Sequence, residues 1–224
     1  MVFDTIAAIA TAPGGAIGII RVSGQNAIQA VSQIFHPANG ISFLNCPPRM
    51  LVYGTLSTRD GKILDQCMAV RFLGDKTYTG EDMAELQLHG SPAVLSETLS
   101  ALFALGVRQA NAGEFTRRAF LNGKLGLMEA EAVADLIAAQ TLEAAGNAAG
   151  QLSGTIGSHM AEIRQKLVAL SAHFLAVVDY PDEEIQPFQM QQMIQTLSET
   201  AEKVRQLYDS YETGRILREG LPCA

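Results

Sequence analysis

Hydrophobic periodicity changes once along this 224-residue chain, near residue 116, and that change restricts the fold more than any other feature. Beyond it, Met160, Ile163, Leu167, Leu170, Phe174 and Val177 recur at alternating steps of three and four. Met190, Ile194, Leu197, Ala201, Val204, Tyr208 and Tyr211 do the same. Each run is a heptad-like helical seam, expected to pack as core. The break between them, "DYPDEEIQP", contains Pro181 and Pro187, so the two helices are expected to fold back antiparallel.

The first half follows another rule. "DTIAAIATA", "AIGIIRVSG", "MLVYGTLS" and "ILDQCMAVRFL" read as strands, with a hairpin signal at Asp60-Gly61. "NAIQAVSQIF" reads as a helix ended by "HPANG". "AVLSETLSALFAL" reads as a second helix, started by Ser91 and Pro92 and ended at Gly106. No regular βαβ repeat appears, so the expected class is α+β: a mixed-sheet domain followed by an antiparallel helical-bundle segment.

Charge divides at nearly the same place. Residues 1–118 carry nine basic and nine acidic side chains, whereas 119–224 carry seven and fourteen, which accounts for the net charge of −7. No basic stripe suited to a phosphate backbone is present. Cys46, Cys67 and Cys223 are odd in number and lack zinc spacing, so they read as reduced and structural. No apolar run reaches the roughly 18 residues of a membrane span, and the N-terminus lacks the form of a secretory signal. Cytoplasm is the expected location.

The stretch "YTGEDMAELQLHGSP" alternates: Ala84, Leu86 and Leu88 point one way, and Glu85, Gln87 and His89 the other. Glu85 offers a carboxylate that suits two parallel N–H donors of a guanidine-like group, the plain alternative being a solvated side chain. Arg21 interrupts an apolar strand and marks either an edge or a pocket. Gly14, Gly15 and Gly18 leave room for a ligand or another backbone. Arg117, Arg118 and Lys124, around Asn122-Gly123, form the densest basic cluster; it suits either an acidic ligand or simple solvation. Asp179, Asp182, Glu183 and Glu184 fit a helix start better than a metal loop. There is no G-x-x-x-x-G-K-[ST] motif, hence no P-loop in this sequence.

Five collinear blocks, "DTIAAIATAPGGAIGIIRVSG", "YTGEDMAELQLHG", "GEFTRRAFLNGKLGLMEAEAVADLI", "DYPDEE" and "ILREGLP", resemble the N-terminal part of the MnmE (TrmE) family of tRNA modification GTPases. The resemblance implies an α+β domain over 1–118 that binds a tetrahydrofolate and dimerises, and a partial helical domain over 119–215. Residues 216–224 would begin the first strand of a GTPase domain, which makes the chain a piece of something longer. Carried over by position, the folate contacts are Arg21, Glu85 and Lys124. The carrier would be 5-formyl- or 5,10-methylene-tetrahydrofolate. GTP, Mg²⁺ and K⁺ would belong to the GTPase domain. The implied activity modifies carbon 5 of the wobble uridine of certain tRNAs, with the flavoprotein MnmG as partner, and no GTP turnover is expected of this chain alone. Two departures stand out: Lys124-Leu125-Gly126-Leu127 where the family has K-L-D-L, and His89-Gly90-Ser91 where it often has H-G-G.

Two other readings stay open. One is a folate-dependent aminomethyl transferase-like enzyme, with His89 or Asp82 as base. The other is a module serving dimerisation alone.

Overall fold

The computed structural model describes residues 4–12, 14–180 and 189–219. The chain divides into two compact units, Met1–Leu125 and Gly126–Ala224.

The first unit is a seven-stranded sheet with helices: β1 Ile6–Ile9, β2 Ile17–Ser23, α1 Ala27–Ser32, β3 Phe35–Pro37, β4 Val52–Ser57, β5 Ile63–Phe72, β6 Met83–His89, α2 Pro92–Phe103, β7 Arg108–Gln109 and α3 Glu114–Leu121. The strand order is β3-β4-β5-β6-β2-β1-β7. Every neighbouring pair is antiparallel except β1 and β7. This is the expected α+β class. The Asp60-Gly61 hairpin closes as the sequence indicates, with Gly61 at φ +85° and the Thr58 amide donating to the Lys62 carbonyl at 2.9 Å.

Alternation builds the core. Ile20, Val22, Ala84, Leu86 and Leu88 point to one face of β2 and β6 and are buried there with Val31, Leu95 and Leu102 from α1 and α2. Full burial of such a side chain stabilises by about 1.5–3 kcal/mol. Gly18 belongs to this packing rather than to a ligand: a Cβ there would stand 2.7 Å from Leu95 Cδ2. Gly15 is approached instead by another backbone, since a Cβ on Gly90 would overlap the Gly15 carbonyl oxygen.

Two local readings are corrected. α1 ends at Ser32, and Phe35 joins β3, where its ring meets Phe43 edge-on at 5.4 Å. Apolar residues at 34 and 35 fit a helical face, but the pairing of Phe35 with Leu56 wins. Ser91 occupies the N-cap of α2 without a capping hydrogen bond from its side chain, so Pro92 carries the start signal.

The second unit is helical: α4 Leu127–Ala138, α5 Leu142–Leu152, α6 Thr155–Asp179 and α7 Met190–Glu219. Thr141 caps α5 by accepting from the Ala144 amide at 3.1 Å. Helices α6 and α7 run antiparallel. Lys203 Nζ, near the middle of α7, is 2.9 Å from Glu162 Oε1, early in α6, whereas Leu170 and His173, later in α6, lie opposite Met193 and Thr196, earlier in α7. The seams are not the core that their spacing predicts. Met160, Leu167, Phe174, Met190, Ile194, Leu197, Val204 and Tyr208 are exposed, and Ile163 alone of the seam residues with described side chains is buried. The two helices touch along a narrow line, which leaves most of each stripe turned to solvent. The strand expected in "GRILREGLPCA" is corrected in its described part: Gly214–Glu219 continue α7, and residues 220–224 lie outside the described residues. Asp182, Glu183, Glu184 and Cys223 lie outside the described residues.

Candidate functional site

Arg21 is not at an edge. β2 lies between β1 and β6, inside the sheet, and Arg21 projects from the face opposite the core. The register sets it directly across from Glu85. Arg21 Nε donates to Glu85 Oε1 at 2.8 Å, and Nη2 lies 2.8 Å from the same oxygen. The side chains are 29% and 16% exposed, so the pair is sheltered yet open to solvent. Such a directly opposed pair contributes about 0.2–1 kcal/mol. Among the described residues, Glu85 Oε2 has no hydrogen-bond partner, which leaves an acceptor available at the surface.

Two rings complete the setting. The Arg21 guanidinium carbon lies 5.3 Å from the Tyr78 ring centre and 5.7 Å from that of Phe115, within reach of cation–π attraction. Tyr78 comes from the loop between β5 and β6, Phe115 from α3. The Tyr78 hydroxyl and Thr116 Oγ1 are 2.9 Å apart, which ties loop to helix. Neither ring was singled out from the sequence, although both stand in the blocks "YTGED" and "GEFTRR".

Lys124 follows α3 and lies over the same loop. Asn122 Nδ2 donates to the Thr79 carbonyl at 2.7 Å, and a Cβ on Gly80 would stand 3.1 Å from Lys124 Cε. Gly80, at φ +78°, therefore gives the lysine stem its place. Lys124 is exposed, and among the described residues its ammonium has no partner. Arg21 and Glu85 are in direct contact; Lys124 joins them through the loop that also carries Tyr78.

The basic cluster at 117–124 comes apart. Arg117 is 64% exposed. Arg118 is 1% exposed and engages the chain's own acids: Asp4 Oδ1 at 2.7 Å, Glu114 Oε1 at 3.1 Å and Glu81 Oε2 at 3.2 Å. Arg118 is thus a structural anchor, unavailable to an acidic ligand. The Arg108 guanidinium, followed by backbone and Arg118 contacts, holds the Glu114 carboxyl down at about 2 against the outweighed effect of burial. Of the two candidate bases, Asp82 accepts the Gly74 amide at 2.7 Å. His89 is 77% exposed and its Nδ1 lies 2.7 Å from Asp65 Oδ1. Gln87 shares the Glu85 face, half-buried. Among the described residues, no group of three or more His, Cys, Asp or Glu could hold a metal, and no helix is long and apolar enough to cross a membrane. A cavity of about 330 Å³ lies elsewhere, in the groove between α6 and α7.

Comparison with known proteins places the chain in a family. The profile for "GTP-binding protein TrmE N-terminus" matches residues 5–124, and that for "MnmE helical domain" matches 127–222. The chain belongs to the MnmE (TrmE) family. It is 41% identical to the tRNA modification GTPase MnmE of Clostridioides difficile (strain 630), over 97% of this chain and 48% of that protein. Its identity to the MnmE of Thermoanaerobacter pseudethanolicus is 40%, over 100% of this chain and 49% of the relative. For that of Carboxydothermus hydrogenoformans it is 41%, over 99% and 48%. The chain thus spans about half the length of the curated relatives it matches, and comprises the N-terminal and helical domains of an MnmE.

Gly126 is the N-cap of α4, and a Cβ there would overlap Glu129 Oε2. That carboxylate is the end of a flexible side chain, so a side chain at 126 would need only that Glu129 swing aside.

Proposed function

We propose that this chain binds a tetrahydrofolate one-carbon carrier on the exposed face of β2 and β6, as part of a GTPase that modifies tRNA at carbon 5 of the wobble uridine. The observation that carries the reading is the Arg21–Glu85 pair, with the second oxygen of Glu85 unused and two aromatic rings over Arg21. A pterin presents an amino group beside a ring N–H, and the unused Glu85 oxygen can accept from that edge. Tyr78 and Phe115 offer apolar faces for a flat ring system. Lys124, an exposed cation without a partner among the described residues, suits the anionic end of the carrier. The sheltered pair and the rings fit the group on chemistry.

The carrier is 5-formyl- or 5,10-methylene-tetrahydrofolate. In this reading the chain presents carbon and GTP turnover belongs elsewhere in the parent protein, with Mg²⁺ and K⁺, since the sequence has no P-loop. Residues 1–118, with the turn to Lys124, are assigned to carrier binding and dimerisation. Exposed Tyr53 and Ile63 on their strands give a second copy apolar surface to cover. Residues 216–224 lead toward the GTPase domain. The parent works in the cytoplasm with MnmG on tRNA. Equilibrium dialysis of the chain against 5-formyl-tetrahydrofolate tests the assignment: one carrier retained per chain supports it, and no retention by a folded chain refutes it.

The aminomethyl transferase alternative has less behind it. Asp82 is committed to the Gly74 amide, and His89, although its Nδ1 contact with Asp65 would suit a base, stands four residues from Glu85 along β6, about 13 Å away on an extended strand.

A further inference from the structure

Glu81 lies in the loop between β5 and β6, and its carboxylate joins three parts of the first unit. Oε2 accepts the Ser23 hydroxyl at 2.7 Å, and Arg118 Nη1 stands 3.2 Å from Oε2 and 3.3 Å from Oε1. Ser23 is fully buried and lies two residues beyond Arg21 on β2, on the same face. Its oxygen is also 2.7 Å from Thr79 Oγ1. A serine hydroxyl has one proton, so with Ser23 donating to Glu81, Thr79 donates to Ser23. Thr77 closes the loop by donating to the Glu81 carbonyl at 2.6 Å.

Arg118 is a fixed post for this arrangement. It also donates to the Asp4 carbonyl and to Asp4 Oδ1, at 2.6 and 2.7 Å, and to Glu114 at 3.1 Å. Burying such charges costs desolvation, and well-packed apolar side chains would often hold a loop equally firmly. What an ion pair adds is one defined geometry. The loop it holds carries Tyr78, which stacks over Arg21, and Gly80, which seats the Lys124 stem.

We infer that Glu81 is a positioning residue for the carrier site: held between Ser23 and Arg118, it fixes the loop that sets Arg21 and Lys124 in place. The inference rests on the folate reading for its consequence in binding, but its structural half can be tested without ligand. In the ligand-free chain, the Nε–Hε cross-peak of Arg21 in a ¹H–¹⁵N spectrum senses the Glu85 pair and the ring currents of Tyr78 and Phe115. Glu81→Ala is expected to move that peak and to weaken 5-formyl-tetrahydrofolate by about tenfold or more, because small misplacements at a binding site are costly. Glu81→Gln keeps an acceptor for Ser23 and Arg118, and is expected to restore the peak and most of the affinity. An Arg21 peak that stays in place in Glu81→Ala, or an affinity that does not fall, overturns the inference. If the parent chain itself fails to bind, the folate reading falls and the Arg21 peak alone decides the role of Glu81. If Glu81→Ala does not fold, Ser23→Ala replaces it, with the same shift expected and the same unmoved peak as refutation.

Discussion

Arg21 and Glu85 face each other across the β2–β6 ladder, with Nε and Nη2 of the arginine both 2.8 Å from a single carboxylate oxygen. The second oxygen is left for a partner from outside. This asymmetry is what turns an ordinary cross-strand ion pair into a candidate binding site.

The same strands join at a close backbone contact that a single methyl group should disrupt. The Gly90 amide donates to the Ala16 carbonyl at 3.0 Å, and a Cβ on Gly90 would overlap the Gly15 carbonyl oxygen. Gly90→Ala must separate backbone from backbone and should cost about 2–3 kcal/mol. Gly18→Ala meets only the end of the Leu95 side chain and should cost about 1 kcal/mol. Urea unfolding of both variants checks the order, and a smaller loss for Gly90→Ala would contradict the packing described.

Acid sensitivity should be concentrated in Glu114. Its pKa is lowered from 4.5 to about 2, chiefly by the Arg108 hydrogen bond, so the charged form is favoured in the folded state. That stabilisation is full above the unfolded value of 4.5 and disappears as pH falls from there through about 2. Glu114→Gln should lose about 3 kcal/mol at neutral pH by leaving buried Arg118 short of a carboxylate. The stability difference between parent and variant should then shrink from pH 5 to pH 2, as followed by denaturant midpoints at each pH. A constant difference would show that the Glu114 charge is not what holds this corner.

Cys67 should be inert in the native chain. Burial, with the neighbouring Asp65 charge second, pushes its thiol up to about 12, so thiolate is scarce at pH 8. Peptide mapping after iodoacetamide at pH 8 should find Cys67 unmodified in the folded chain and modified in urea. Rapid native labelling would contradict its burial in the core.

The exposed seams of α6 and α7 should make the chain self-associate as concentration rises. Leu167, Val168, Phe174 and Leu175 are all exposed on α6, and clustered apolar surface of this sort seeks cover. Sedimentation velocity should show the larger species, and Leu167→Glu with Leu175→Glu should remove them. If the double variant sediments as the parent does, association runs through another surface.

The first unit was the more legible in sequence because its strands are half-buried: period-two alternation at 84–89 predicted both the core face and the Glu85 face correctly. Arg21 could be singled out because it breaks an apolar run, and its partner followed only from the strand register, which links positions 64 residues apart. The anchoring role of Arg118 was not legible. Its partners Asp4 and Glu81 are distant in sequence, Glu114 alone being a local i,i+4 neighbour, and a cluster of basic residues looks the same whether solvated or buried. The seams of α6 and α7 were found as helices but misread as core, since periodicity shows which face is apolar and not whether anything covers it. The start of "GRILREGLPCA" reads as a strand in sequence, yet Gly214–Glu219 continue α7, because a short apolar stretch does not by itself distinguish strand from helix.

The most direct test is calorimetric titration of the 224-residue chain with 5-formyl-tetrahydrofolate, beside Arg21→Ala and Glu85→Ala. The account predicts saturable binding by the parent and loss of that binding in both variants, each still folded. Equal binding by parent and variants, or none by a folded parent, would contradict the assignment of the β2–β6 face as the carrier site.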